Sequence, residues 1–107
     1  GTEEAGDRYS EAKEVYERLG PPRYLAGIRG AGHAAFTDIC AWVPPDADPR
    51  VSEDGCSPDF LDPGIVQDAT VRLAAPFFEH WLRGQRGASQ ALATAAADLD
   101  IDWFEEL

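Results

Sequence analysis

At 107 residues the chain suits one small domain, and 44% hydrophobic residues, with three Trp and five Phe, give it the side chains to bury a core. Nine basic against twenty acidic residues set the net charge at −11, a balance that disfavours nucleic acid and anionic membrane as partners because such surfaces repel a polyanion. No run approaches the roughly 18 apolar residues of a membrane helix, and Gly1-Thr2-Glu3-Glu4 lacks the charged and apolar regions of a signal peptide, so the chain is cytosolic or its leader lies outside this sequence.

The first predicted element is a helix over residues 10–19. Ser10 is a good N-cap, Glu11 and Glu14 stand in the first turn, and Ala12, Val15, Tyr16 and Leu19 recur at helical spacing. Gly20-Pro21-Pro22 ends it. Residues 23–28 then read as a short buried strand, with Tyr24, Leu25 and Ile28 apolar and Gly30 and Gly32 allowing a sharp exit. Helix, turn and strand in this order predict an α/β unit. Residues 34–42 suit a short helix, which Pro44-Pro45-Asp46-Ala47-Asp48-Pro49 cannot continue, and the stretch to Pro63 is expected to be a long surface loop.

Cys40, in that short helix, and Cys56 enclose a Pro/Asp-rich segment. In an oxidising compartment they would form a disulfide, implying a secreted or cell-envelope protein; in a reducing one they are two thiols of a cytoplasmic chain. From Gly64 to Arg83 the pattern is helical again, with Val66, Ala69, Leu73, Phe77 and Trp81 spaced by three or four, Gly84 as terminator and Pro76 expected to kink the helix. The stripe Phe77, Phe78, Trp81 and Leu82 reads as core. An alanine-rich helix is predicted over 88–99, and the tail from Asp100 to Leu107 mixes Trp103 and Phe104 with acids. Neither repeats nor a linker divide the chain: residues 1–107 form a single domain or a fragment of one.

The chemistry-bearing residue is His33. Glycine on one side and alanine on the other leave its imidazole accessible on a turn directly after a strand, as a proton shuttle requires. His80, beside Trp81 in an aromatic helix, reads as a packed or partly exposed histidine. A calcium loop from Asp46, Asp48, Asp54, Asp59 and Asp62 is the weaker alternative, because these acids lack the regular alternation and glycine of a calcium hand and read as solvated loop acids. No metal and no cofactor is expected.

Taken together, Tyr16-Glu17-Arg18-Leu19, Pro22-Arg23-Tyr24-Leu25, Gly30-Ala31-Gly32-His33, Phe36-Thr37-Asp38, Phe77-Phe78 and Trp81-Leu82-Arg83-Gly84 resemble the C-terminal third of an α/β-hydrolase, in particular the dienelactone-hydrolase-like and acetylhydrolase-like esterases. The likeness covers residues 1 to about 84. It implies the last sheet strand or two of that fold with its packing helices, and it matches His33 to the triad histidine. A Gly-Thr-x-Asp turn gives such enzymes the acid that orients this histidine. The matching run is Gly1-Thr2-Glu3-Glu4, so Glu4 stands where Asp is usual, with Asp7 as fallback.

The departure from the pattern is the nucleophile. None of Ser10, Ser52, Ser57 or Ser89 lies in a G-x-S-x-G elbow, and the resemblance places nucleophile and oxyanion hole upstream of Gly1. The expected function is the C-terminal segment of a serine ester hydrolase, inactive by itself, that supplies His33 and Glu4 and takes an ester substrate when joined to its upstream part. The alternative is a small non-enzymatic acidic module that binds a protein partner or itself.

Overall fold

The computed structural model describes residues 1–2, 8–44 and 46–107. Helix α1, Arg8–Arg18, ends at the Gly20-Pro21-Pro22 breaker, and strand β1 follows over Arg23–Ile28. A 3-10 turn, Ala34–Phe36, and a single helical turn α2, Ile39–Trp42, replace the one short helix predicted over 34–42. The break falls at Thr37, whose extended backbone (φ −128°, ψ 170°) no helix continues.

The predicted long loop is more ordered than its composition suggested. Asp48 caps a turn α3, Pro49–Val51, by accepting from the Arg50 amide, and Ser52–Cys56 adds a π-type turn in which Gly55 takes φ 129°. Asp62 then caps the long helix α4, Pro63–Arg83, accepting from Gly64 N at 2.8 Å with Pro63 at the first helical position. The helix is continuous through Pro76 and stops at Gly84, which is left-handed at φ 67°. Helix α5, Gly87–Asp98, leads into the strand β2, Ile101–Glu106, in the acidic tail whose sequence predicts no element.

β2 lies antiparallel to β1, pairing Ile28 with Ile101, Ala26 with Trp103 and Arg23 with Glu106, so the sheet among the described residues is a two-stranded antiparallel ribbon. Strand alternation sorts its side chains into two faces. Ile28 and Ile101 turn toward α4 and α5, where Val66, Ala69, Leu73, Leu92 and Ala95 complete the core. On the opposite face Phe104 meets Tyr16 of α1 with ring centroids 6.1 Å apart, and Tyr9 donates to Asp102 at 3.0 Å. Gly27 makes room for that layer, since a Cβ there would run into the Tyr9 ring. Arg23 closes the ribbon's end, bridging Glu106 and donating to the carbonyls of Tyr16 and Glu17 in the last turn of α1 and of Leu19 just beyond it.

The aromatic stripe of α4 divides differently from the expectation that all of it is core. Phe77 packs against Tyr24, with centroids 5.4 Å apart, whereas Trp81 leans on the same ring at 6.4 Å but stays 42% exposed and is not core. Phe78 and Leu82 are each one residue further round, about 100° away on a helix, and both face solvent. The architecture is therefore a helix-rich mixed α/β fold: α1, the ribbon, then α4 with α5.

Candidate functional site

His33 stands where the chain leaves β1. Ile28 and Ala31 are buried, Gly30 takes φ 73° to turn the chain, and the Gly30 carbonyl accepts from Leu61 N at 2.7 Å. The next residues form the 3-10 turn, with Ala34 and Ala35 buried and His33 exposed at its start. Helix α4 fixes this turn from below: Gln67 Nε2 donates to the Thr37 carbonyl at 3.0 Å and to that of Ala35 at 3.5 Å. The imidazole is thus open to solvent on a backbone held at both ends.

Beside β1, on the edge that β2 does not cover, lies Thr2. Its amide donates to the Ile28 carbonyl at 3.1 Å and its hydroxyl accepts from Gly30 N at 3.1 Å, which ties the first residues to the strand end that precedes His33. Glu4 and Asp7, the carboxylates expected to orient the imidazole, lie outside the described residues.

Two hollows flank the His33 turn. One is an apolar cleft of about 300 Å³ lined by Tyr24, Phe36, Leu73, Phe77, Leu92 and Trp103. The other is a polar pocket of about 460 Å³, lined by His33 and Thr37 on one side and by Asp48, Arg50, Val51 and Asp54 on the other. Phe36 and His33, three residues apart, face different hollows.

The far wall of the polar pocket hangs on a cross-link. Cys40 and Cys56 form a disulfide, with Cα atoms 5.3 Å apart and a sequence separation of 16. The wall then presses backbone to backbone on the His33 turn: a Cβ on Gly32 would collide with Gly55 and stand 3.0 Å from the Asp54 carbonyl oxygen. Glycine at both positions is what admits Asp54 to the pocket. Asp48 is engaged by Arg50, which donates to it from its amide at 3.0 Å, from Nε at 3.1 Å and from an Nη at 2.8 Å, and these bonds hold the Asp48 carboxyl below its usual range. Asp54 has no such partner. Its Oδ1 is shut off from solvent without a hydrogen bond among the described residues.

Reading the loop acids as uniformly solvated missed Asp54. The signal that could have found it is Gly55-Cys56 directly after it, once paired with Cys40. His80, Ser57 and Ser89 do not line the pocket with His33. His80 stacks edge-on against Trp81 at 4.8 Å, a packed histidine whose buried Nδ1 has no partner among the described residues. Ser57 follows the π-type turn rather than a strand, and Ser89 donates to the Arg86 carbonyl at 2.9 Å in the first turn of α5. Among the described residues no group of three or more His, Cys, Asp or Glu is placed to hold a metal ion, and no helix is long and apolar enough to cross a membrane. Comparison of the chain with protein-family models, with curated proteins and with solved structures found no match.

Proposed function

We propose that the chain is the C-terminal segment of a serine ester hydrolase of the α/β-hydrolase type, with His33 as its general base and acid. The observation that carries this reading is the placing of His33: an exposed imidazole on a braced turn at the end of a strand, with an apolar cleft on one side and a polar pocket on the other. An ester has the same division, a modest apolar acyl part and a more polar alcohol part. His33 takes the proton of a serine as it attacks the carbonyl and returns it to the departing alcohol.

The serine and its oxyanion hole come from upstream sequence, because no serine of this chain follows a strand in a G-x-S-x-G turn. Glu4 or Asp7 accepts the second imidazole N–H. The disulfide suits a secreted or cell-envelope setting.

An activated aryl ester tests the reading. The chain alone is expected to hydrolyse it no faster than buffer, whereas joined to an upstream part carrying the serine it is active. His33→Ala then lowers kcat/KM by at least about 10³-fold. Hydrolysis by the isolated chain that disappears with His33→Ala overturns the fragment reading, and an active joined enzyme indifferent to His33→Ala overturns the role of the histidine.

The exposed apolar residues of α4, with Leu82 77% exposed and Phe78 52%, favour a second reading as a protein-binding module. A tight dimer in sedimentation that shields His33 from acylation would support that reading over the first.

A further inference from the structure

We propose that the chain pairs with a second copy of itself through the outer face of α4, the two helices packed antiparallel about a twofold axis midway along residues 71–82. No residue of the His33 turn takes part, so the proposal goes beyond the hydrolase reading and stands or falls without it.

A helix lying on a core normally turns polar side chains outward, and α4 does not. At about 100° per residue, Val71, Ala75, Phe78 and Leu82 fall within about 60° of one another, on the side of the helix opposite the buried Val66, Ala69 and Leu73. All four are exposed, Val71 to 63%. Their spacing of four, three and four residues is that of the apolar seam along which two helices interlock.

The order of side chains along the stripe names the occupant. Turned end for end about a point between Ala75 and Phe78, a second α4 sets its Leu82 against Val71 and its Phe78 against Ala75, and each layer occurs twice by symmetry. A large side chain then meets a small one in the central layers, which lets the axes close to the roughly 8–10 Å of a packed helix pair. A parallel pair would stack Phe78 on Phe78 and Ala75 on Ala75, one layer crowded and the next hollow.

Charge selects the same arrangement. Arg72 and Glu79 stand on one flank of the stripe, on either side of its midpoint, and the end-for-end turn brings each beside the other of the second copy, about 3 Å apart along the axis. Two ion pairs of opposite sign follow. The other flank carries Gln67, Ala74 and Trp81, so a parallel pair, which joins one flank to the other, gains none. Within its own chain Arg72 reaches Asp98 at 3.7 Å, both side chains being well exposed, and this loose contact leaves the guanidinium free to turn to Glu79 of the second copy. A foreign partner would need both patterns by coincidence, whereas a second copy has them by identity. The seam runs for just over three turns, less than a standard interface, and a net charge of −11 opposes association, so the dimer is weak and reversible.

Sedimentation equilibrium of the oxidised chain from about 10 µM to about 1 mM should show a reversible monomer–dimer exchange, as a seam of this size predicts. In a mixture of labelled and unlabelled chains, isotope-filtered NOEs should join the methyls of Val71 to those of Leu82 between copies. Phe78→Glu is expected to weaken association at least tenfold, while Leu107→Ser, which removes an equally exposed leucine away from α4, leaves it unchanged. Glu79→Arg sets arginines against each other twice and should weaken the dimer roughly three- to tenfold. Adding Arg72→Glu to it restores the pairing with the signs exchanged and should recover most of that loss. A chain monomeric up to the highest concentration overturns the proposal and leaves the stripe to a different protein. So does association that Leu107→Ser abolishes, that Phe78→Glu leaves intact, or that the double exchange fails to recover. If Phe78→Glu unfolds the helix, the NOEs and the Glu79 and Arg72 exchanges decide by themselves.

Discussion

Two regions meet at His33, and different forces build them. On one side α4, α5 and the β1–β2 ribbon bury a continuous apolar cluster, with Val66 fully enclosed and Ile28, Leu73, Leu92 and Ile101 packed around it. On the other, residues 39–56 bury only Gly55 among the described positions, leave Trp42 82% exposed, and hold their place through a disulfide and a glycine–glycine contact. The first region gains its stability from removing apolar surface from water, which is cooperative across the whole cluster. The second is positioned locally by covalent bonding and backbone fit. A histidine between them has a fixed floor and a tethered wall, so each side can be disturbed separately.

The largest effect should come from breaking the first side. Leu92 is 4% exposed in the cluster that α4, α5 and the ribbon share, so Leu92→Ala is expected to cost about 2–5 kcal/mol, read as a lower denaturant midpoint at unchanged slope. A loss below about 1 kcal/mol would mean that this half is not the cooperative core. Next comes the tether. In the chain-entropy account a loop of this length contributes about 3 kcal/mol, which is the expected loss for Cys40→Ser with Cys56→Ser, and amide exchange should rise chiefly over residues 46–56. Exchange that rises evenly through α4 and α5 instead would erase the distinction between the two regions.

The same contrast explains how much was legible in the sequence. The elements of the apolar half announce themselves locally: α4 through the spacing of Val66, Ala69, Leu73 and Phe77 and the caps at Asp62 and Gly84, and β1 through its short apolar run between breakers. β2 does not, because Asp102 and Glu106 weaken its strand pattern, and their reasons to be there are Arg29 and Arg23, 73 and 83 positions away. Phe78 and Leu82 read as core by hydrophobicity alone, but rotation about the helix axis puts them on the outer face of α4. At the site, the glycines and alanines around His33 showed it to be accessible. Asp54 was one loop acid among several, since only the closed disulfide and the paired absence of Cβ atoms at Gly32 and Gly55 bring it to the pocket.

The smallest expected effect lies on the outer face of the ribbon, far from the wall, where Tyr9 and Arg29 both donate to Asp102. Partial burial, then the hydrogen bond to Asp102 and its charge, push the Tyr9 phenol up to about 12, with Arg29 pulling the other way. The same arrangement holds the Asp102 carboxyl below its usual range, first through Arg29 and then through Tyr9. The two groups act at opposite ends of the pH scale. A lowered carboxyl contributes stability that is present above the ordinary carboxylate value near 4 and is lost as pH falls through its folded value. A raised phenol contributes stability present below about 10 and lost as pH climbs toward 12. Tyr9→Phe should therefore flatten the alkaline decline in stability and remove the phenolate absorbance change near pH 12, while the acid limb loses the share that Tyr9 gives it and keeps the larger share that Arg29 gives Asp102. Because these groups are largely solvated and salt screens them, both limbs should be shallow and shrink further at high ionic strength. If Tyr9→Phe also shifts amide resonances at 48–56, then α1 and the tethered wall are coupled through the ribbon, and the two sides of His33 are not independent.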